Sequence, residues 1–540
     1  MNRQQLLRFK AGRQILLCLS IATTLHLFRS SIHGFTAHES NQLYPEDLYR
    51  TLRTYTKVLH VVETNYAEPV HIQKAIANSI QRMLNVLDPH CNFYDQKAFK
   101  KLQDHQEGNY SGIGVRVAVV EERLMVLSTT AGSPASKFGL RVGDVISSIN
   151  GVSTAKNSTT KTFELLRGPR HSAVQVSIER PGVNKPILFK IFRGEISKPS
   201  VGLCYVIRPK IVYLKLDAFT GTTETEISAV LDPFAHDLEG LILDLRNNSG
   251  GDLQAAISLA DRFLELNDSI LISEGRLANA KSEYIVNRGH QGWLFPLVVL
   301  INQRTASAAE IVAGAIQDHQ RGLVVGEKSF GKGLIQTVFP LRGGHGLSLT
   351  TSKWFTPNGR MIQRDYKNRS LGLYWHLFKT GPGLEWDIKS SLEGLDYPSP
   401  SSRKGGIIPD IEVEPERFTP LQIQLLSRHL LFAFAREIKA RYPAIARTAV
   451  VHHLLIAELR DYLAKRNYHL SDQEFQENLP FLIRNLQSDI LLLSVKQRES
   501  RTVLLNEDPQ IIQALALLPQ ASLLLPLKNN LGQGDNFYYE

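Results

Sequence analysis

Ser307 and Lys332 are the residues of this chain best placed to do chemistry. Ser307 lies where a short apolar run, Phe295-Pro-Leu-Val-Val-Leu-Ile-Asn302, gives way to Ile311, Val312, Ala315 and Ile316 at helical spacing. Lys332 stands between Gly331 and Gly333, and Gln336 follows four residues later. A serine hydroxyl is a weak nucleophile and needs a base. A lysine can be that base only when uncharged, so burial must lower its pKa from ~10.4 toward neutrality. A shift of ~3 units costs roughly 4 kcal/mol, which demands a dry, well-built site. The flanking glycines would let the backbone carry Lys332 into such a pocket. A serine at a helix start also meets backbone N–H donors and the positive end of the helix dipole, the groups an oxyanion requires. Spacing alone favours plainer roles: a cap or turn serine, and a lysine at a solvated loop tip.

Several elements must position these residues. The β-branched run before Asn302 reads as a buried strand, and the stripe after Ser307 as a helix packed on it. If the segment from Lys332 to Gln336 is extended, both side chains point to one side. Val212-Tyr-Leu-Lys-Leu216 and Gly240-Leu-Ile-Leu-Asp-Leu245 read as further strands. The second leads through Arg246-Asn-Asn-Ser-Gly-Gly-Asp252 into a helix with Leu253, Ala256, Ile257, Ala260, Phe263 and Leu264. That glycine turn matches neither the dinucleotide nor the P-loop fingerprint.

Asn302 to Ile311, followed by Gly326-Glu-Lys-Ser-Phe-Gly-Lys-Gly-Leu-Ile-Gln336, resembles the carboxyl-terminal processing proteases, also called tail-specific proteases. The similarity extends over most of residues 41–415. The resemblance implies a Ser–Lys dyad with Ser307 as nucleophile, Lys332 as general base and Gln336 orienting the lysine. It implies oxyanion donors at the N–H of Ala308 and at the 246–252 turn, assigned to Gly251 with its neighbour Gly250 left open. Lys328, which follows Glu327, is read as ion-paired or solvated. A second resemblance lies at Gly132-Ser-Pro-Ala-Ser-Lys-Phe-Gly-Leu-Arg-Val-Gly-Asp-Val-Ile-Ser-Ser-Ile-Asn-Gly151, which is similar to the PDZ domain. Such a domain binds an extended C-terminal peptide as an added strand. The backbone at Ile113, Gly114 and Val115 is expected to hold the terminal carboxylate. Arg167 falls where some relatives couple peptide binding to activation, and a solvated surface arginine is the plainer reading.

The expected fold is α/β multidomain. Residues 1–40 form a signal peptide or membrane anchor, 41–108 a helical segment and 109–195 the inserted PDZ domain. Residues 196–415 form a crotonase/Clp-like α/β protease core with an insertion at 365–403, and 416–540 a C-terminal helical domain. Tyr44-Pro-Glu-Asp47 opens one N-terminal helix, and Ile72 to Leu87 carries a second apolar stripe that ends at Leu87-Asp-Pro-His-Cys91. His90 and Cys91 are adjacent, not spaced as metal ligands, and read as structural. In the C-terminal region, Thr419-Pro420, the Ser471-x-x-Glu474 capping box and Asp508-Pro509 mark helix starts.

At 540 residues the chain exceeds one core, so three or four domains are expected. Lys and Arg exceed Asp and Glu by ten, 62 against 52. The excess is dispersed and carries no nucleic-acid-binding signature, so no nucleic-acid partner is expected. Arg3, Arg8, Lys10 and Arg13 precede the apolar run Ile15 to Phe28, the layout of a secretory signal or an uncleaved anchor. The body is therefore expected across the membrane, periplasmic or extracytoplasmic, with membrane contact only through that segment. Cys91 and Cys204 could pair in an oxidising compartment, and Cys18 sits in a poor lipoprotein context. His452 and His453 are consecutive and do not share a helix face, so zinc is not expected. No metal or organic cofactor is implied. The expected partners are proteins with unstructured C-termini, a second copy through the helical ends, and an adaptor. Two rivals are a PDZ-bearing scaffold that holds tails without cutting them, and a crotonase-like acyl-CoA enzyme.

Overall fold

The structure is a computed structural model that describes residues 46–106, 109–155, 164–197, 199–288, 293–365, 405–445, 451–494 and 497–525. The expected signal or anchor segment, Cys18 and the 365–403 insertion beyond Asp365 lie outside the described residues. Two compact units are formed, residues 1–79 and 80–540. In the first, Pro45 directly precedes a helix, Glu46–Asn65, and none of its side chains is buried. Leu48, Leu52, Tyr55 and Val62 form an exposed apolar stripe along it.

At the centre of the second unit is a six-stranded sheet. Its strands run in the order Val201–Arg208, Ile211–Leu216, Gly240–Asp244, Leu297–Ile301, Leu323–Gly326 and Ile411–Glu412. The first pair is antiparallel and the rest are parallel. Parallel strands covered on both faces must be apolar on both. Here alternate residues divide between two cores. Leu241 and Leu243, with Leu297, Val299 and Ile301, face the helices Leu253–Asp261 and Ala308–Asp318. Ile242, Val298 and Leu300 face Ile511, Ala514 and Leu518 of helix Pro509–Ser522. That helix lies so close that a Cβ at Gly240 would fall 2.8 Å from Leu518.

A separate antiparallel sheet is built around Gly346–Phe355, which pairs with Leu334–Pro340, Asn92–Tyr94 and Ser269–Gly275. The PDZ sheet has the order Val115–Val120, Arg123–Thr129, Val145–Ile149, Ala173–Glu179 and Ile187–Phe192, leaving Val115–Val120 at an edge. Inward-facing Val174, Val176 and Ile178 alternate with more exposed neighbours, as one buried sheet face requires.

The C-terminal helices begin where side-chain caps satisfy their first N–H groups. Thr419 accepts from Gln422 N, Ser471 from Glu474 N, and Asp508 from Gln510 and Ile511 N. Their core, with Phe434, Leu459 and Leu486, also takes in Val120, Met125 and Val145 of the PDZ sheet. Arg436 Nε donates to Gly143 O at 2.9 Å and Tyr462 Oη to Glu121 at 3.0 Å, so the PDZ domain is braced by the helical domain. Cys91 and Cys204 are both free thiols.

Candidate active site

Three turns meet at the C-terminal ends of the central parallel strands, where open α/β sheets present their crevices. The turn after Gly240–Asp244 is stitched to the turn after Leu297–Ile301. Ala306 N donates to Asn248 O at 2.9 Å, and Thr305 Oγ1 to Leu245 O at 2.9 Å. Asn247 N donates to Asn302 Oδ1 at 2.9 Å. The third turn, after Leu323–Gly326, joins through Phe330 N to Thr305 O at 2.9 Å.

Ser307 occupies the cap position of helix Ala308–Asp318 with φ 57° and ψ −119°. A non-glycine residue there is strained, and such strain gathers at functional positions. Gly250 packs directly against it: a Cβ at Gly250 would sit 2.8 Å from Ser307 Cβ and 2.9 Å from Ala308 N. The Gly250 N–H is committed to Asn248 Oδ1 at 2.9 Å. Neither the Gly251 N–H nor the Ala308 N–H has a hydrogen-bond partner among the described residues.

Glu310 joins the Ser307 turn to the lysine turn. It is fully buried, 0% exposed, and its carboxylate accepts four hydrogen bonds. Oε2 takes the N–H of Ser307 at 2.8 Å and of Lys332 at 2.9 Å. Oε1 takes the N–H of Gly331 at 2.7 Å and the Ser329 hydroxyl at 2.5 Å. Burial raises its pKa, and these donors oppose the rise. The lysine turn is held further by Trp354, whose Nε1 donates to Lys332 O at 3.1 Å, and by Gly333 N donating to Gln363 Oε1 at 2.9 Å. Lys332 keeps some exposed surface, yet desolvation lowers the pKa of its amine against the opposing pull of Glu310 and Asp88.

Sequence spacing erred at one point. Lys332 precedes the strand Leu334–Pro340 instead of belonging to it, and a register shift interrupts pairing between Ile335 and Gln336. The alternation that would align Lys332 with Gln336 therefore does not apply. Gln336 Nε2 donates to Thr350 Oγ1 at 3.3 Å, and no hydrogen bond links it to Lys332. Nor is Ser307 Oγ hydrogen-bonded to Lys332 Nζ. Ile113, Gly114 and Val115 lie at the start of the PDZ edge strand, with Gly114 at φ +77°. Arg167 is exposed just past the helical turn 164–166.

Glu310 was not singled out by sequence reasoning, although Ser307-x-x-Glu310 has the spacing of a capping box. Trp354 and Gln363 left no local signal, because they reach the lysine turn from distant strands and loops. Among the described residues no group of three or more His, Cys, Asp or Glu side chains could hold a metal ion.

Residues 210–368 match peptidase family S41, and residues 125–180 match a PDZ domain. The carboxy-terminal-processing protease of Bartonella bacilliformis is 36% identical over 323 residues, 59% of this chain and 74% of the relative. The carboxyl-terminal-processing protease of Synechocystis sp. is 36% identical over 307 residues, 55% of this chain and 70% of the relative. A solved photosystem II D1 C-terminal processing protease covers 69% of this chain and 91% of its own at 26% identity, with a TM-score of 0.37. With the S41 match on the three-turn core, the PDZ match beside it, and relatives 36% identical that are covered over 70% or more of their length, the chain belongs to peptidase family S41, as a PDZ-bearing serine peptidase of the carboxy-terminal-processing protease group.

Proposed function

We propose that the protein cleaves other proteins near their C-terminal tails, with Ser307 as nucleophile and Lys332 as general base. One observation carries this reading: a single buried carboxylate, Glu310, anchors both the nucleophile turn and the turn bearing a desolvated lysine. Ser307 Oγ attacks the scissile carbonyl and gives its proton to Lys332 Nζ. The oxyanion is received by the N–H groups of Gly251 and Ala308. Collapse expels the new amine, which takes the proton back from Lys332, and leaves an acyl-enzyme. Water then repeats the sequence with Lys332 as its base. Apo catalytic hydrogen bonds often tighten only with substrate bound, so the Ser307–Lys332 bond belongs to the occupied site. Gln336 orients the lysine from the neighbouring strand.

Gly250→Ala tests the oxyanion turn. An added Cβ would meet Ser307 and Ala308 N, so turnover should fall by roughly 10²–10³-fold, the scale of a lost oxyanion donor. Wild-type turnover would separate this turn from the reacting atoms.

The PDZ domain captures the substrate's terminal carboxylate. The carbonyls of Ile113 and Gly114 are engaged by Ala135 N and Thr130 N, so the loop offers its N–H groups to a ligand. The edge strand Val115–Val120 supplies the ladder for an added strand. Arg167 gates this groove. Export through the N-terminal segment would place the enzyme in the periplasm or another extracytoplasmic space, with that segment as its membrane contact. The helical ends provide surfaces for a second copy or an adaptor.

The test compares a tailed protein substrate with the same substrate carrying a C-terminal amide. Cleavage of the free-acid form, with KM at least tenfold lower than for the amide, is expected. Equal KM values would remove carboxylate capture, and no cleavage of either would remove the tail-processing reading.

A further inference from the structure

The turn Leu87–Cys91 has so far been given no function, yet it adjoins the base. Asp88, His90 and Cys91 are all buried. Asp88 Oδ1 accepts the N–H of His90 at 2.7 Å and of Cys91 at 3.0 Å. The Cys91 thiol donates to Asp88 Oδ2 at 3.2 Å, and the same sulfur accepts the Thr350 N–H at 3.4 Å. Thr350 Oγ1 in turn accepts from Gln336 Nε2. The strand that follows, Asn92–Tyr94, pairs with Gly346–Phe355 and fixes the turn to that sheet. Asp88 and His90 are both near enough to Lys332 to interact with its charge. Burial and then Lys332 lower the His90 pKa to about 4, while Asp88 pulls the lysine pKa upward.

We propose that Leu87–Cys91 forms a wall of the base pocket, and that Asp88 is a positioning residue for Lys332 and Gln336, acting through Cys91 and Thr350. The inference rests on Lys332 being the base. Its physical content is a division of labour. A lysine side chain is a flexible four-carbon stem, so its amine needs a fixed surround. Glu310 fixes the lysine backbone but hydrogen-bonds only main-chain N–H groups and Ser329, leaving the amine's surround to other residues. The Asp88 carboxylate is close enough to favour the charged amine, and the Cys91–Thr350 link sets the strand on which Gln336 finds its partner. His90 stays neutral at physiological pH, which keeps a second positive charge out of the pocket.

Asp88→Asn preserves shape and loses the charge. Its kcat should fall on the order of 10–100-fold, part of the ~10²–10⁴-fold due to a general base, with KM unchanged. The ascending limb of kcat/KM against pH should move to lower pH, because a charge favouring the ammonium form is gone while Glu310 and His90 remain. Cys91→Ala should show a similar kcat loss, and Cys91→Ser, which restores a donor and acceptor, should recover most of it. Wild-type kcat and pH limb in Asp88→Asn would overturn the proposal, as would equal effects of Cys91→Ala and Cys91→Ser. Should Asp88→Asn not fold, Thr350→Val, at a half-buried strand position, removes the hydroxyl that Gln336 donates to, and unchanged kcat there overturns the proposal. Lys332→Ala run in parallel separates the two readings. If it keeps wild-type kcat, the base assignment itself fails. If it is inactive while Asp88→Asn is normal, only the role of the turn fails.

Discussion

Lys332→Met is expected to abolish turnover and to raise stability. Removing a general base costs ~10²–10⁴-fold in kcat, and Ser307→Ala should cost at least as much. In the wild type, kcat/KM should climb with pH through a limb below ~10.4, because burial depresses the amine. The methionine variant should lack that limb. Stability follows from the same shift. The folded amine has a lower pKa than the unfolded one, so between the two values the unfolded chain binds more protons and the unfolding free energy rises with pH. Below the folded pKa the wild type bears the whole penalty of enclosing a charge, and methionine bears none. Denaturant midpoints should therefore differ most near neutrality, with the variant higher, and converge as pH nears ~10.4. Wild-type kcat in the variant would end the base assignment, and midpoints that never diverge would show the amine to be well solvated.

Glu310→Gln should be the most damaging conservative change in the core. The carboxylate accepts four donors, two on each oxygen. An amide nitrogen in place of either oxygen would set hydrogens against two of those donors. Each lost bond to a charged acceptor is worth ~1.5–3 kcal/mol, so a loss of at least ~3 kcal/mol is expected in urea unfolding. Because the same group holds the Ser307 and Lys332 backbones, folded protein at low temperature should also lose on the order of 10²-fold in kcat. An unchanged midpoint with unchanged kcat would show that the two turns are set by other contacts.

Much of this was legible in the chain itself. Leu297–Ile301 is apolar at every position, and Gly240–Asp244 up to its last residue, because both their faces are covered, and that pattern can be read without coordinates. Helix starts at Thr419, Ser471 and Asp508 were legible because their caps are local. Ser307 and Lys332 could be singled out by their surroundings. What could not be read was anything set by distant pairing. The shift between Ile335 and Gln336 breaks the period-two rule without leaving a glycine or proline at the spot. Leu87–Cys91 looks like a helix end from its own residues, and only pairing of the next strand with Gly346–Phe355 carries it to the lysine. The bracing of the PDZ sheet by Phe434 and its neighbours joins segments some 300 residues apart in the chain.

Helix Pro509–Ser522 makes the catalytic body indivisible in a way its sequence match does not suggest. The S41 match ends at residue 368, but the sheet's outer strand Ile411–Glu412 and the cover over Ile242, Val298 and Leu300 arrive later. Asp508, at the head of that helix, also receives Arg246 Nη1 at 2.8 Å, at the first residue of the 246–252 turn. A fragment trimmed to the matched segment would expose an apolar sheet face to water and strip Arg246 Nη1 of its partners Asp508 and Gln510, leaving the arginine held by Asp244 alone. Shortening this enzyme from its C-terminus would thus cost solubility and chemistry together.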